Sequence, residues 1–223
     1  FKQKTAYEIY QCDWSSDVCS SDLAALLAPP LVPEIRLHLA SEVLPLWRAT
    51  EKELETMGVP PPYWAFAWAG GQALARYLLD HPDAVKDRRV FDIGSGSGLV
   101  GIAARKAGAA TVQAADIDDF ACAAIRLNAA ANGCDIMVTR QDVIGGPCDW
   151  DIILVGDLFY ERPLAERLLA WLKQTGRPAL LGDPGRNYFP RTGVERLALY
   201  NVQTSRDLED REIRETGVYR LKD

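Results

Sequence analysis

The stretch from Val90 to Gly101, VFDIGSGSGLVG, limits what this chain can fold into more than any other. Val90, Phe91 and Ile93 predict a buried strand, and the glycines at 94, 96 and 98 predict a tight turn into a helix, GLVGIAARKAGA. The same unit then recurs, with TVQAADI as strand and DDFACAAIRLNAAANG as helix. DIMVTRQD and WDIILVGDLFY are further strands, RPLAERLLAWLKQTG is a helix, and PALLGD, RLALYNVQT and EIRETGVYRL are the last strands. Strands alternating with helices need right-handed crossovers, which give a parallel sheet covered on both faces. The expected fold class is therefore α/β, a doubly wound, mostly parallel seven-stranded sheet. Its last two strands, joined by the charged SRDLEDR, should form a hairpin at one edge.

Before this domain, PEIRLHLASEVLPLWRATEKELETMG has a helical pattern in Ile35, Leu39, Val43, Leu44 and Trp47. Pro33 suits a helix start, Pro45 a kink, and Gly58 an end. Residues 24–87 are thus expected as an N-terminal helical and aromatic extension, forming one structural unit with the domain at 88–223. Residues 1–23 differ in kind: they have no periodicity, are rich in Ser and Asp, and hold Cys12 and Cys19. They resemble a translated sequencing-adapter segment and are expected to be foreign, with the native N-terminus missing and an earlier targeting peptide left open.

Composition removes several functions. The net charge is −6 at pH 7, and nucleic-acid binding needs clustered Lys and Arg, so a nucleic-acid partner is not expected. No apolar run approaches the roughly 20 residues of a membrane span, so no membrane partner is expected. Five cysteines and two histidines show no paired ligand spacing, so no metal site is expected. A reducing, cytoplasmic setting and a monomer are the corresponding expectations.

The glycine turn fits two ligands. Gly96-x-Gly98-x-x-Gly101 matches a dinucleotide fingerprint, and Asp92-x-Gly94-x-Gly96-x-Gly98 matches a loop for S-adenosylmethionine. Both use backbone N–H groups at a helix start to hold an anionic group. Asp92 favours the second, because a pyrophosphate there would face a carboxylate while an ammonium would be attracted by it. Asp116, ending the next strand, is placed for ribose hydroxyls, with Ile117 beside it, and both ligand classes use such an acid. Asp142 lies where a carboxylate can take an adenine amino group, although a turn-forming Asp fits that position nearly as well. Asp157 and Tyr160 follow the most apolar strand, in the crevice where open α/β sheets bind ligands.

Together, VFDIGSGSGLVGIAA, AADID, RQDV and GDLFYE resemble the seven-β-strand methyltransferases with an Asp-x-x-Tyr motif after strand four. PPYWAFAWAGGQALARYLLD and GDPGRNYFP resemble the electron transfer flavoprotein β-subunit lysine methyltransferases and their bacterial relatives, over about Leu27 to Leu221. The resemblance implies a Rossmann-like fold, S-adenosyl-L-methionine as cofactor and a lysine-containing protein as substrate, either an electron transfer flavoprotein β subunit or a ribosomal protein. It implies donor binding by Asp92, Gly94, Ser95, Gly96, Gly98, Asp116, Ile117, Asp142, Trp68 and Asp157. Asp157 and Tyr160 would be catalytic, and Trp64, Phe159 and Arg186 would contact the acceptor. Trp64, Phe66 and Trp68 could wall the acceptor pocket and meet a cation with their ring faces, with core packing at least as good a reading for Phe66; Tyr188 is a further candidate near Arg186.

A lysine near pKa 10.4 must lose a proton before it attacks a methyl group, and a carboxylate alone works against that. Asp157 is therefore expected to position the amine rather than act as a strong base. A small-molecule N-methyltransferase of this fold is the nearest alternative and a nicotinamide-dependent oxidoreductase a distant one. The Pro-Pro-Tyr at Pro61–Tyr63 does not indicate a nucleic-acid methylase, since it precedes the glycine loop.

Overall fold

The computed structural model describes residues 25–39, 61–204 and 213–222. Within them the expected alternation is present. Strand β1 spans Ala25–Leu27 and β2 Leu37–Leu39, followed by a short 3-10 turn at Tyr63–Ala65. Helix α1 covers Ala69–Asp80, β3 Arg89–Ile93, α2 Leu99–Lys106, β4 Thr111–Asp116 and α3 Asp119–Ala131. Then come β5 Met137–Arg140, β6 Ile152–Gly156, α4 Arg162–Thr175, β7 Ala179–Asp183, β8 Val194–Gln203 and β9 Ile213–Leu221.

The main sheet has seven strands in the order β5-β4-β3-β6-β7-β9-β8. Strands β3 to β7 are parallel, whereas β9 runs antiparallel to β7 and to β8. This is the expected edge hairpin, with its second strand inserted next to β7. Because β4 and β6 flank β3, the winding direction reverses there, and that reversal opens a crevice at the carboxyl ends of β3 and β6.

The central strands are apolar on both faces, as parallel strands covered by helices must be. Val90, Leu154 and Leu180 join the layer under α1 and α2, with Leu74, Leu78 and Ile102. Their neighbours Phe91, Ile93, Ile153, Val155 and Leu181 join the layer under α4, with Leu168 and Trp171. Truncating one of these buried leucines to alanine costs about 2–5 kcal/mol, so the two layers hold the strand ends in fixed register.

The N-terminal segment corrects the sequence expectation. Ile35, Leu37 and Leu39 are buried while Arg36 is exposed, an alternation of period two. Leu37–Leu39 accordingly forms β2, antiparallel to β1 in the register Ala25↔Leu39. Ile35 and Leu39 are four residues apart, which fits one face of a helix and one face of a strand equally. The hairpin is clipped to α3 by Asn128, whose Oδ1 accepts from the His38 backbone N–H at 2.7 Å. The expected helical positions from Val43 to Gly58, the segment 1–23 and the SRDLEDR turn lie outside the described residues.

Candidate active site

The glycine loop follows β3 at the crevice. Gly98 caps α2 in the left-handed region, φ 83°, with Ile125 of α3 only 3.4 Å from where a Cβ would sit. A side chain there would be strained by backbone and by contact alike. Asp92 is 1% exposed, and its Oδ2 accepts from Gly101 N–H at 2.9 Å and Ser95 Oγ–H at 2.5 Å. Burial pushes its carboxyl up to about 7, against the lowering effect of those two hydrogen bonds. Asp92 therefore clamps the loop through Oδ2, holding Ser95 and the start of α2 together.

Asp116 closes the other side. Its Oδ2 accepts from Gly96 N–H at 2.9 Å and its Oδ1 from Asp118 N–H at 3.1 Å. Each carboxylate oxygen has a second lone pair for a hydroxyl donor. Asp118 takes the helix-capping role, accepting from Phe120 N–H at 2.9 Å, which leaves Asp116 to the crevice. Ile117 stands beside it 70% exposed. Asp142 is turned elsewhere: its Oδ2 pairs with Arg167 Nη2 at 2.5 Å and its Oδ1 accepts from Ile144 N–H. The carboxylate nominated for an adenine amino group is thus half-exposed and already shared with α4.

A second cluster adjoins the loop, since a Cβ on Gly94 would lie 2.6 Å from the side chain of Leu158. Asp157 follows β6 with φ 61°, a left-handed conformation unusual outside glycine. Its N–H donates to Gly182 O at 2.9 Å, its Oδ2 accepts from Gly70 N–H at 2.8 Å, and its Oδ1 pairs with Arg186 Nε at 2.6 Å. Gly70 is the second residue of α1, whose first amides have no partner within the helix and whose Trp68 N-cap offers no side-chain acceptor. Asp157 supplies that acceptor at the positive end of α1, where a negative charge is favoured.

Aromatic rings adjoin the arginine paired with this carboxylate. The Arg186 guanidinium carbon lies 5.8 Å from the Trp68 ring centroid, within cation–π range. Trp68 donates from Nε1 to Tyr63 O at 2.8 Å, and Tyr63 packs against both Trp68 and Tyr160. Tyr160 keeps 43% of its surface in water. Burial of the remainder pushes its phenol up to about 12, so it stays protonated near neutral pH. Trp64 is buried and stacks on Phe120, its backbone lying over Gly96.

Phe159 is a correction. It is 1% exposed, packs edge-on against Phe189 and belongs to the layer under α4. It cannot touch an acceptor, because the turn after Asp157 directs it inward. Tyr63, Gly70 and Asp183 were not singled out from sequence. Asp183 had a legible signal, since it ends an apolar strand just as Asp116 does. A cavity of about 480 Å³ shares Trp68 with this cluster and is lined by Leu27, Pro30, Leu39, Phe66 and Gln203. Among the described residues that line it none is ionisable.

The residues of the crevice fit S-adenosylmethionine in kind: a glycine turn at a helix start, the Asp116 carboxylate beside it, and the exposed apolar side chain of Ile117. A glycine loop at the reversal point of this seven-strand order, with a buried Asp and a Tyr after β6, defines an S-adenosylmethionine-dependent methyltransferase. A family model for ribosomal protein L11 methyltransferase matches residues 73–159. An electron transfer flavoprotein β subunit lysine methyltransferase of Danio rerio is 40% identical over 85% of this chain and 76% of its own length. A ribosomal protein L11 methyltransferase of Lactobacillus delbrueckii is 32% identical over 74% of this chain and 51% of its own. Among solved structures, a Pyrococcus abyssi tRNA (uracil-54, C5)-methyltransferase in complex with S-adenosyl-L-homocysteine is 19% identical, with a TM-score of 0.50 over 66% of this chain and 38% of that one. The chain belongs to the electron transfer flavoprotein β-subunit lysine methyltransferase family, and the reaction of that family is transfer of methyl groups to lysine.

Proposed function

We propose that this enzyme methylates lysine on an electron transfer flavoprotein β subunit, with Asp157 presenting the acceptor amine. The observation that carries the reading is the corner formed by Asp157, Trp68, Tyr63 and Tyr160 beside the glycine loop. A carboxylate whose ion-pair partner already lies over the Trp68 ring, with Tyr63 and Tyr160 packed next to it, is a setting suited to a lysine cation. S-adenosylmethionine supplies an electrophilic methyl group there when bound. In this reading Gly94–Gly98, Ser95, Asp116 and Ile117 hold the donor, with Asp92 bracing the loop and Asp142 at its margin. Trp64 lies over the loop and Trp68 walls the acceptor side.

The acceptor amine must be neutral at attack. Its proton leaves to water, the nitrogen lone pair forms the new N–C bond, and the electrons of the broken C–S bond stay on sulfur. Asp157 is already hydrogen-bonded by Gly70 and paired with Arg186, so its charge is largely balanced. It can orient an N–H without strongly favouring the ammonium form. Tyr160 remains a neutral phenol and contributes a hydrogen bond, not a base. Fixing nucleophile and methyl in line supplies most of the acceleration.

The acidic composition supports an enzyme that does not use nucleic acid, and the free Cys122, Cys134 and Cys148 support a reducing, cytoplasmic setting. None of the described helices is long and apolar enough to cross a membrane. We read 24–223 as a single unit that works as a monomer, and residues 1–23 as foreign to it.

The test is methyl incorporation from labelled donor into three acceptors in parallel: electron transfer flavoprotein β subunit, ribosomal protein L11, and a mixture of small primary amines. Lysine-borne label in the flavoprotein subunit is expected. Label confined to L11 would move the substrate to the ribosome, and label confined to small amines would exclude a protein acceptor.

A further inference from the structure

The end of β7 grips the acceptor corner twice. Gly182 accepts the Asp157 N–H at 2.9 Å, and the next residue, Asp183, controls the side chain paired with Asp157. Asp183 is 1% exposed, and its Oδ1 accepts from both Gly185 N–H and Arg186 N–H, each at 2.7 Å. Those two bonds fold the chain back through Gly185, φ 87°, so that Arg186 reaches Asp157 Oδ1 at 2.6 Å and the Trp68 ring face.

Turn formation alone does not account for this residue. Surface turns are made by exposed Asp, Asn or Ser, whose unused oxygen faces water. Asp183 Oδ2 is instead buried with no hydrogen-bond partner, a costly arrangement that the sheet does not require. Burial also pushes the Asp183 carboxyl up to about 7. What the buried side chain does achieve is the placement of one loop, and the charged group on that loop is Arg186.

We propose that Asp183 is a positioning residue for methyl transfer, seating Arg186 on Asp157 and thereby fixing the carboxylate that presents the acceptor amine. This rests on the reading of Asp157 given above. Asp183 does not touch the reacting atoms. Its effect passes through Arg186, and misplacing a positioning group by about 1 Å costs on the order of 100-fold in rate.

The test is a double-mutant cycle with electron transfer flavoprotein β subunit as acceptor, measuring kcat, KM and donor affinity. Asp183→Ala and Arg186→Ala should each lower kcat by roughly 10- to 100-fold, with the donor dissociation constant unchanged within about twofold. The double variant should lose no more than Arg186→Ala alone, because the two residues act in series. Asp183→Asn, which retains an acceptor for both amides, should recover kcat to within about threefold of wild type, short of full recovery because a carboxylate accepts more strongly. If Asp183→Ala is too unstable to assay, Asp183→Ser takes its place, its hydroxyl being too short to hold both amides. Wild-type kcat in Asp183→Ala, or additive losses in the double variant, would overturn the proposal while leaving the role of Asp157 intact. Retained turnover in Asp157→Ala, run alongside, would instead overturn the reading on which it rests.

Discussion

Asp157 is constrained at its backbone and at both carboxylate oxygens. It holds a left-handed backbone, φ 61°, that costs on the order of 1–3 kcal/mol outside glycine. Gly182, Gly70 and Arg186 together offset that strain and leave the carboxylate in one orientation. Its importance was legible because an acid follows the most apolar strand in the chain. The identity of its partners was not, since Gly70 lies 87 residues away and Arg186 lies 29. Phe159 was misassigned for a related reason: adjacency to Asp157 in sequence says nothing about which way a turn directs the next side chains. Asp183 yields a prediction at this scale. Its carboxyl rises from 3.8 to about 7 on folding, mainly through burial. Such a group favours the folded state below its unfolded value, and that contribution is lost as pH rises through the folded one. Asp183→Asn removes the titration, so its stability relative to wild type should increase from about pH 4 to about pH 7 and level off above. Urea midpoints across that range would show it; a difference independent of pH would mean that Asp183 does not titrate there.

Among the elements, α1 connects the fold to the chemistry. Its amino end lies on the ends of β6 and β7, where Gly71 approaches Gly156 and Gly70 approaches Gly182 O and Asp157 N. A Cβ on Gly70 would collide with the carbonyl of Gly182 and come within 2.9 Å of Asp157 N. Neither neighbour is a flexible side chain, so the helix would have to move away, and Asp157 would lose its amide donor. Gly70→Ala should destabilise the protein by about 1–3 kcal/mol and lower kcat more than donor affinity. Thermal unfolding together with steady-state kinetics would check this, and an unchanged Tm would contradict the close packing. The AGG that opens α1 was visible in the sequence, but which backbone it packs against depends on strand order. The β1–β2 hairpin was missed because Ile35 and Leu39 satisfy both periods, and the deciding signal was Leu37, buried between them in register.

In the whole molecule, the alternation of strand and helix determined most of the architecture. Apolar runs such as RVFDI, IILVG and ALLGD can only be buried on both faces, which makes a parallel, helix-covered sheet the expected outcome. The sheet brings the glycine loop and the Asp157 corner together because β3 and β6 are neighbours, with Ile93 opposite Val155. In the proposed function the crevice has two parts: Gly94–Gly98 with Asp116 for the donor, and Asp157 with Arg186 and Trp68 for the acceptor. That division is open to one direct measurement, in which Asp157→Asn is compared with wild type for donor binding by calorimetry and for methyl incorporation into electron transfer flavoprotein β subunit. Donor affinity should hold within about twofold while incorporation falls by roughly 100-fold or more, as expected when an interaction made only on the way to the transition state is removed. Incorporation at the wild-type rate, or a matching loss of donor affinity, would contradict it.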